Sequence, residues 1–354
     1  MQLLIDQSNI TRTSLGQDQA GDLQTGQVRV KLLRCALTAN NVTYAAAGFV
    51  IGYWKFFPSG VEGQGLLPVW GTAEVTESAC HDVPTGMRLY GFWPLADTTV
   101  LQPERDKHGV LTDRAAHRTD LPAIYNRYTE VKPANDREDD LRALLQPLLA
   151  TSYLLRDFLE DKAFFGASQV IIGSASSKTG LGLCKFLAEL SPRPVKIVGL
   201  TSSGNVDFVQ GLGACDSVVS YDDVETLERV PSVFVDMAGN AQTKQRLHAH
   251  LADHLTHSAA VGTSHWDKFQ PQIKLDGPKP EFFFAPSHVA KRREDWGPGV
   301  IERQITDGWK RLATDASSWL DVNVHTGFEQ AQAIYDDIAT GRAAPRDGHI
   351  IALN

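Results

Sequence analysis

Short runs of alternating apolar and polar residues fill the first part of the chain. Between residue 27 and about residue 133, runs such as QVRVKLLRCAL, LPVWGTAEVTES and GMRLYGFWPLADTTVLQP are separated by Gly, Pro and Asp. Alternation of this kind, interrupted by turn-forming residues, is typical of β-strands that pack one face against a core. The pattern therefore predicts a compact β-rich unit.

The spacing of apolar residues changes to that of a helix from about residue 139 to residue 161. In EDDLRALLQPLLATSYLLRDFLED the apolar positions recur at helical spacing. Pro147 lies inside this stretch and is expected to break or kink the helix, because proline lacks a backbone N–H. We interpret the stretch as a connector to a second unit.

Beyond the connector, apolar strand patterns alternate with helical ones. Strands are predicted at SQVIIGS (168–174), VKIVGLTSS, DSVVSYDD, VPSVFVDMAG and SAAVGTSHWD (258–267), and helices at GLCKFLAEL and NVDFVQGLG. This alternation is typical of βαβ units, whose strands form a parallel sheet with right-handed crossovers. A long helical stretch and then a helix, a turn and a strand are predicted for the rest of the chain.

Composition and charge narrow the class of protein. The 354 residues are 42% hydrophobic and 21% charged, which is ordinary for a globular protein of two domains. The net charge of -8 is spread along the chain without a Lys/Arg block, so neither nucleic acid nor an anionic membrane surface is an expected partner. The N-terminus lacks a basic flank, and no segment approaches the roughly 20 apolar residues of a membrane span. We therefore expect a cytoplasmic protein.

The four cysteines, Cys35, Cys80, Cys184 and Cys215, are far apart and form no CxxC pair. This spacing argues against a disulfide framework and against a cysteine zinc site. Reduced thiols are the expectation.

The stretch GSASSKTGLG, residues 173–182, is a candidate phosphate-binding loop between a predicted strand and a predicted helix. Aligned as an ATP-binding Walker A loop on Lys178 and Thr179, it has Ile172 and Ser177 where that motif requires glycine. In a dinucleotide loop, Gly180 and Gly182 supply a close backbone approach and a small residue where the helix packs on the sheet. The pyrophosphate is then expected at the N-terminus of the helix that begins near Thr179. A plain Ser/Gly turn would have a similar sequence.

The residues after the second strand of this unit bear on the kind of dinucleotide. An NAD site places Asp or Glu there, on the ribose 2′-hydroxyl, whereas this chain has Thr201, Ser202 and Ser203. No carboxylate repels a 2′-phosphate, and Lys178 is a candidate partner for one. NADP is therefore favoured over NAD, although these residues are also ordinary turn formers.

Six stretches of the chain carry a resemblance to a known family. They are VRVKLLRCALTANNVTY (28–44), TGMRLYGFWP (85–94), TSY (151–153), GLTSSGNVDFVQGLGACDSVVSY (199–221), VFVDMAG (233–239) and the closing GRAAPRDGHIIAL. In this order they resemble the medium-chain dehydrogenase/reductase superfamily, specifically its zinc-independent quinone-reductase and enoyl-reductase branch. Trp70-Gly71-Thr72 stands where the family commonly has Gly-His-Glu, and FFFAPSHVAKRREDWGPG also departs from its pattern. These departures indicate a divergent subfamily of unknown function.

The resemblance implies an α/β fold with two domains. A GroES-like β-rich catalytic domain is expected over 1–138, completed by about 286–354, and a Rossmann domain with a doubly wound parallel sheet over 139–285. It also implies a homodimer, since the related sheets often pair edge to edge.

A catalytic zinc is not expected. The family's zinc members carry a Cys in the loop that matches Thr38 to Asn41, a His near Trp70 and a four-cysteine lobe, and this chain has none of these. One histidine cluster keeps another metal site open. His250, His254 and His257, with His248 nearby, would share one face of a helix and could bind a divalent ion. A solvated helix face explains this cluster equally well.

The resemblance also implies functional residues. The candidate catalytic residues are Asn41, Tyr44, Tyr53 and His265. The candidate substrate-pocket residues are Asn40, Trp54, Arg127 and Tyr153. The candidate cofactor-binding residues are Ser174, Ser177, Lys178, Thr179, Gly180, Gly182, Thr201, Ser202, Asn205, Tyr221, Ala238, Gly262, Thr263 and Ser264. The dense aromatic residues around positions 53–57 either line a pocket for an aromatic or apolar carbonyl substrate or form the core of the β-rich unit.

Three hypotheses about function follow. The first is an NADPH-dependent, zinc-free reductase that transfers hydride to a conjugated enone, a quinone or an acyl thioester. The second is a lyase or isomerase that acts on an aromatic substrate with the same fold, and the third is a non-catalytic NADPH-binding sensor. A serine hydrolase is not indicated, because the chain has no G-x-S-x-G elbow.

Overall fold

A computed structural model describes residues 1–18, 21–106, 109–132, 135–262 and 274–353 of the chain. Within these residues, no helix combines the length and the apolar character that crossing a bilayer requires.

Strands occupy both the first and the second half of the described chain. They are β1 (Gln2–Asp6), β2 (Thr13–Gly16), β3 (Val28–Leu37), β4 (Gln64–Leu66), β5 (Pro68–Ser78), β6 (Arg88–Pro94), β7 (Thr98–Leu101), β8 (Pro103–Arg105), β9 (Leu111–Asp113), β10 (Arg127–Glu130), β11 (Gln169–Gly173), β12 (Lys196–Thr201), β13 (Ser217–Ser220), β14 (Ser232–Asp236), β15 (Leu255–Ala260), β16 (Glu281–Phe282), β17 (Asp321–Thr326) and β18 (Asp347–Ala352).

Most of the α-helices lie in the second half of the chain. They are α1 (Ala39–Ala46), α2 (Asp136–Asp161), α3 (Lys178–Ala188), α4 (Val206–Gly211), α5 (Ala241–Leu251), α6 (Ala285–Trp296), α7 (Val300–Thr314) and α8 (Phe328–Ala339).

The chain folds into two compact units. The first consists of Met1–Leu144 and the chain from Leu320 onward, and the second is Leu145–Trp319. The division falls inside α2, the helix that the sequence pattern predicts as a connector. The second unit includes residues 286–319, which were expected to complete the first. The reason is that α6 and α7 pack on helices of the second unit: Gly308 of α7 lies so close to Tyr153 and Phe186 that an added Cβ would be 3.0 and 3.2 Å from their rings.

The first unit is built on a large, mostly antiparallel sheet. Its strand order is β17-β18-β3-β5-β6-β10-β9-β8, and β7 also pairs with β3. The last strand, β18, returns to pair antiparallel with β3, as the closing stretch of the sequence predicts. Gly71 is required on β5, because a Cβ there would lie 2.2 Å from the carbonyl oxygen of Arg34.

A short helix, α1, interrupts the β-rich pattern of the first unit. The family resemblance implies a loop at Thr38 to Asn41, but the side chain of Thr38 accepts a hydrogen bond from Asn40 N and forms a capping box with Asn41. Capping residues of this kind satisfy N–H groups that a helix leaves without partners at its start. The capping box therefore explains a helix in a segment of only eight residues.

The helix α2 runs through Pro147 without ending there, so of the expected break or kink the break is absent, and α2 has 26 residues in all. Proline removes one backbone hydrogen bond, but the apolar residues Leu144, Leu145, Leu148 and Leu149 are all buried beside it. Burial of this face outweighs the cost of the proline, because tertiary packing supplies most of the stability of a helix in a protein.

The second unit is built on a parallel sheet, which confirms the predicted βαβ pattern. All of its strand pairs are parallel, and the order is β13-β12-β11-β14-β15-β16. In chain order this is 3-2-1-4-5-6, the order of the doubly wound dinucleotide-binding sheet. The strand order reverses between β11 and β14, and the carboxyl ends of these two strands therefore mark the place where such sheets bind ligands.

Candidate functional site

The switch point of the parallel sheet brings two loops together. Gly173, the last residue of β11, is in register with Asp236, the last residue of β14. Residues 174–177 follow the first strand and residues 237–240 follow the second. These two loops therefore border the place where a sheet of this kind binds a ligand.

The loop after β11 turns sharply at its first residue. Ser174 has φ of 54°, in the left-handed region that non-glycine residues rarely adopt, and its backbone N–H donates to Tyr221 Oη at 2.9 Å. Ser177 caps α3: its hydroxyl accepts from Gly180 N at 3.1 Å and donates to the carbonyl of Ser174 at 2.7 Å. Ser174, Ser177 and Tyr221, three of the predicted cofactor residues, thus form one hydrogen-bonded turn at the start of α3.

Gly180 is the glycine that the loop geometry requires. A Cβ at this position would lie 2.4 Å from the carbonyl oxygen of Ser174, so only glycine lets α3 approach the loop this closely. Gly182 has a different role from the predicted one. A Cβ there would lie 2.5 Å from Leu149 Cδ2 and 2.7 Å from Ser152 Oγ, both on α2. Gly182 therefore permits α3 to pack on another helix rather than on the sheet.

Hydroxyl and amide groups surround the end of β12. Ser176 Oγ accepts from Thr201 Oγ1 at 3.0 Å and from Asn205 Nδ2 at 3.4 Å, and Asn205 Nδ2 also donates to Ser202 Oγ at 3.0 Å. Thr201 is buried and Ser202 is exposed. Residues 201–205 contain no carboxylate, and Lys178 and Thr179 begin the nearby helix α3.

The loop after β14 is held by one carboxylate. Asp236 Oδ1 accepts from the backbone N–H groups of Ala238 at 3.0 Å and Gly239 at 2.9 Å. Its other oxygen, Oδ2, lies 3.1 Å from Lys244 Nζ. The backbone carbonyl of Asp236 also accepts from Val261 N at 2.9 Å. Asp236 therefore organises the predicted cofactor residue Ala238 and the start of the chain segment after β15.

Gly262, the next residue, also donates its N–H to the Asp236 carbonyl, at 3.3 Å. A Cβ at Gly262 would lie 2.6 Å from the Met237 carbonyl oxygen. Thr263, Ser264 and His265, which the sequence pattern also nominates, lie outside the described residues.

In the first unit, the side chain of Asn41 is fully used in local structure. Its Oδ1 accepts from Thr38 N at 2.7 Å, and its Nδ2 donates to the carbonyl of Pro68 at 2.8 Å. Asn41 is also 3% exposed. Its amide therefore holds α1 against β5 in this structure, and its predicted catalytic role stays a prediction.

Tyr44 accepts two hydrogen bonds on its hydroxyl group. Asn40 Nδ2 donates to Tyr44 Oη at 2.7 Å and Trp70 Nε1 donates to it at 2.9 Å. Burial raises the pKa of Tyr44 well above its ordinary value, although these two donors act in the opposite direction. The phenol therefore stays protonated, and its own proton is available for donation.

Tyr53 and Tyr125 form a second hydroxyl pair in the same aromatic cluster. Their Oη atoms are 2.9 Å apart, and the Tyr53 ring lies 4.6 Å from that of Tyr44, centroid to centroid. Burial, and next the neighbouring Tyr44, raise the pKa of Tyr53. Phe56, Phe57 and Phe92 pack around these rings and are almost completely buried. The cluster brings the candidates Asn40, Asn41, Tyr44 and Tyr53 into one region.

The remaining predicted pocket residues, Trp54, Arg127 and Tyr153, are not members of this cluster. The Trp54 ring is held between Gly48 and Gly65, where an added Cβ would be 2.0 and 2.3 Å from ring atoms. Arg127 is half-buried on β10. Tyr153 belongs to the second unit, where its hydroxyl lies 3.3 Å from Gln304 Oε1 and its ring meets Phe186 edge to face.

The histidine cluster of the sequence does not share a helix face. Helix α5 ends at Leu251, so His254 lies in the following turn and His257 lies on β15. His248 is hydrogen-bonded to Ser258 Oγ and to the carbonyl of Asp276, and His250 Nε2 lies 2.8 Å from the carbonyl of Leu227. Across the part of the chain that the structure describes, no group of three or more His, Cys, Asp or Glu residues could hold a metal ion.

Three residues of these two regions were not nominated from the sequence. Trp70 and Tyr125 contact the candidate tyrosines only because β5 and the 123–126 turn meet α1 in space. Lys244 carried a weak signal, since a lysine eight residues after a strand-ending Asp falls near the start of the next helix. Long-range contacts of this kind are not visible in local sequence patterns.

A model of one protein family, described as protein of unknown function (DUF2855), matches residues 35–344 of the chain. No curated protein matches the sequence.

Solved structures share the fold at low sequence identity. CurA from Vibrio vulnificus in complex with NADPH is 11% identical, with a TM-score of 0.62 over 97% of this chain and 94% of that one. The Etr1p/NADP/crotonyl-CoA complex is 13% identical, with a TM-score of 0.58 over 99% and 98%. The yhdH oxidoreductase from Salmonella enterica in complex with NADP is 14% identical, with a TM-score of 0.53 over 100% and 99%.

These structures have the fold of medium-chain dehydrogenase/reductase enzymes, so the predicted fold class, a GroES-like domain with a Rossmann domain, is confirmed, and the predicted resemblance holds at the level of the fold.

Proposed function

Because the chain belongs to the protein family of unknown function DUF2855 and has the medium-chain dehydrogenase/reductase fold, we propose that it is an NADPH-dependent oxidoreductase that works without zinc. One observation carries this proposal. The turn from Ser174 to Gly180 at the switch point begins with a residue in the left-handed conformation and leads into a capped helix. It also contains a glycine at a position where a Cβ would collide with the Ser174 carbonyl. These are the features by which a Rossmann loop accommodates a pyrophosphate.

The residues of the second unit fit NADPH. The first turn of α3 offers backbone N–H groups and a helix dipole to the pyrophosphate, with Ser174, Ser177 and Thr179 beside it. Thr201, Ser202 and Asn205 would hold the adenosine ribose, and Lys178 would pair with the 2′-phosphate. Tyr221, Ala238 and Gly262, followed by Thr263 and Ser264, are assigned to the remainder of the cofactor.

Bound NADPH would supply a hydride, and the chain would supply a proton and an electrostatic environment. We assign proton donation to Tyr44. Its hydroxyl oxygen accepts from Asn40 and Trp70, which polarise the O–H bond, and its raised pKa keeps the proton in place until an oxyanion develops. We assign Tyr53 to proton donation together with Tyr44. Asn41 is assigned to positioning α1.

The proposed substrate is a conjugated enone, a quinone or an acyl thioester with an aromatic or apolar body. The partly buried rings of Trp70 and Tyr125 beside Tyr44 support this class, because exposed ring surface binds apolar and aromatic ligands well. Each of these substrates also develops negative charge on oxygen when hydride is added, which a tyrosine proton neutralises.

The test is a titration with NADPH followed by an activity screen. We expect saturable fluorescence changes and a higher unfolding temperature with NADPH, with weaker effects from NADH. We then expect oxidation of NADPH with at least one member of a panel of enones, quinones and acyl thioesters. The absence of any fluorescence or thermal response at millimolar NADPH would overturn the proposal.

A non-catalytic NADPH sensor is the second candidate. The observation that favours it is the internal use of candidate catalytic groups: both amide atoms of Asn41 and the hydroxyl of Tyr53 have protein partners. A sensor would bind NADPH tightly yet oxidise none of it across the carbonyl panel.

A further inference from the structure

Asp236 and Lys244 form a buried ion pair at the switch point of the parallel sheet. Lys244 Nζ lies 3.1 Å from Asp236 Oδ2, and the two residues are 7% and 4% exposed. Asp236 ends β14 and Lys244 lies in α5, so the pair connects the end of a central strand to the following helix. Burying two charges carries a large desolvation cost, which makes the location of such a pair informative.

The carboxylate of this pair lies at the end of the strand next to the loop where a dinucleotide site would bind a diphosphate. Asp236 is in register with Gly173, and Ser174 directly follows Gly173. The N–H of Ser174 donates to Tyr221 Oη, and burial together with the smaller effect of the Asp236 charge raises the pKa of Tyr221 to about 12. Asp236 therefore acts electrostatically on a group that is bound to the phosphate loop itself.

The two oxygens of Asp236 have separate tasks. Oδ1 alone accepts both loop N–H groups, those of Ala238 and Gly239, and Gly239 adopts a left-handed φ of 73° that the loop needs. Oδ2 faces Lys244. An amide oxygen could also accept two N–H bonds, so loop anchoring does not require the negative charge. The negative charge of Asp236 would instead repel a nearby anion unless a cation neutralises it.

We propose that Lys244 is a positioning residue that neutralises Asp236, so that the loop anchored by Asp236 can border a diphosphate-binding site without repelling it. The inference rests on the proposed NADPH function. It assigns to Lys244 an electrostatic effect on the cofactor diphosphate, exerted through Asp236. A purely structural ion pair would hold the loop in the same way whatever the charge of the ligand.

Removing the cation tests the inference. In Lys244→Met the buried Asp236 carboxylate loses its counter-charge. The carboxylate then repels a diphosphate bound several ångströms away, so we expect ADP and NADPH binding to weaken by about tenfold or more. The affinity for adenosine, which has no phosphate, is expected to equal that of the wild type. Lys196→Met is the matched control, since it removes a cation at the opposite, amino end of the sheet, where Lys196 pairs with the exposed Glu228.

The second charge change is expected to restore binding. Asp236→Asn combined with Lys244→Met keeps an oxygen acceptor for the loop and removes the unpaired charge, so its ADP affinity returns to within about threefold of wild type. Thermal unfolding of each variant is measured beside the binding titrations. If Lys244→Met does not fold, Asp236→Asn with Lys244 retained binds ADP more tightly than the double variant does.

The results separate the two proposals. If the wild type binds neither NADPH nor ADP, the proposed function fails and this inference fails with it. If the wild type binds both ligands but Lys244→Met binds ADP equally well, or loses ADP and adenosine in parallel, only the role of Lys244 is overturned. Equal ADP affinity of Asp236→Asn and the double variant would overturn it as well.

Discussion

At the scale of single residues, hydrogen-bond partners sort the candidate side chains. Asn41 uses both amide atoms to hold α1, whereas Tyr44 accepts two hydrogen bonds and keeps its own proton to donate. Residue type alone does not distinguish these two situations. Asn and Tyr are both plausible near an oxyanion, and only the position of their neighbours shows which groups are already paired.

Replacing Tyr44 by Phe tests the proton donor. We expect kcat to fall by about 100-fold or more, with NADPH affinity unchanged, because the hydroxyl proton is lost while the second unit is untouched. The variant also leaves the Trp70 indole N–H without its acceptor, which costs about 1–3 kcal/mol of stability. Steady-state kinetics and urea unfolding measure the two effects.

Tyr335→Phe is the control for Tyr44→Phe. It removes another buried hydroxyl of the first unit, which donates to the Ile10 carbonyl at 3.0 Å, so it costs stability without lowering kcat. An equal loss of kcat in the two variants would contradict the assignment of Tyr44.

Replacing Lys178 by Ala tests the 2′-phosphate contact. We expect the preference for NADPH over NADH to fall by about tenfold, because the ammonium group at the start of α3 no longer pairs with the 2′-phosphate. The ratio of the two dissociation constants measures this preference. Lys185→Ala, on the last turn of the same helix, is expected to leave the ratio unchanged. An unchanged ratio in Lys178→Ala would show that another group recognises the phosphate.

At the scale of elements, α3 is the helix on which the candidate site depends. Its glycine-containing start was visible in the sequence, and so was the strand before it. The partners of its two glycines were not, because Gly180 meets the carbonyl of Ser174 and Gly182 meets α2, which lies about 30 residues earlier in the chain. A glycine in a motif indicates close approach without indicating what approaches.

Adding one methyl group at Gly180 is expected to destabilise the second unit. The new Cβ would be 2.4 Å from the Ser174 carbonyl oxygen, so Gly180→Ala displaces the loop at a cost of about 1–3 kcal/mol and abolishes NADPH binding. Gly211→Ala is the matched control, because apart from its chain neighbours and the backbone of α4 no described atom lies within 4 Å of its Cβ position at the end of α4. If the unfolding temperature fell equally in both variants, this account would be contradicted.

The contact between α2 and α6 is expected to depend on pH. Asp157 of α2 pairs with His288 at 2.6 Å and Arg292 at 2.5 Å. Burial opposes ionisation of Asp157, but these two partners outweigh it and leave its pKa below the ordinary value. A lowered folded-state pKa contributes stability above the unfolded-state value, near 3.9, and this contribution is lost as the pH falls through the folded-state pKa.

Asp157→Asn should therefore lower the free energy of unfolding by about 3 kcal/mol at pH 7, and by less at pH 3. Urea unfolding at the two pH values measures the difference. A loss of stability that is the same at both values would show that the charge of Asp157 does not matter.

At the scale of the whole molecule, the division of the chain into two compact units separates the candidate chemistry. The cofactor candidates lie mainly in the unit Leu145–Trp319, and the tyrosine cluster lies in the other unit. This division was expected from the change in apolar periodicity near residue 139. The return to the first unit was expected near residue 286 but occurs at Leu320, because the amphipathic pattern of α6 and α7 does not indicate which of the two cores these helices cover.

The expected homodimer is a prediction at this scale. The strand β16 (Glu281–Phe282) ends the strand order of the six-stranded sheet among the described residues, and Phe282 is 59% exposed there. If the sheets of two chains pair at this edge, Phe282→Asp lowers the mass of the particle in solution from that of two chains to that of one. Phe49→Asp changes an exposed phenylalanine of the first unit and serves as the control. Sedimentation velocity measures both; a wild type of single-chain mass would contradict the dimer.

The sequence by itself determined the fold class, the βαβ pattern of the second unit and the position of a glycine-containing loop between a strand and a helix. It could do so because alternating and helical periodicity, glycines and strand-to-helix turns are local features of a chain. Tertiary structure decided the rest. The continuity of α2 through Pro147, the separation of the histidines, the two donors on Tyr44 and the pairing of Asp236 with Lys244 all arise from residues that only folding brings together. Burial and distance set the chemistry of such groups, and neither is encoded in local pattern alone.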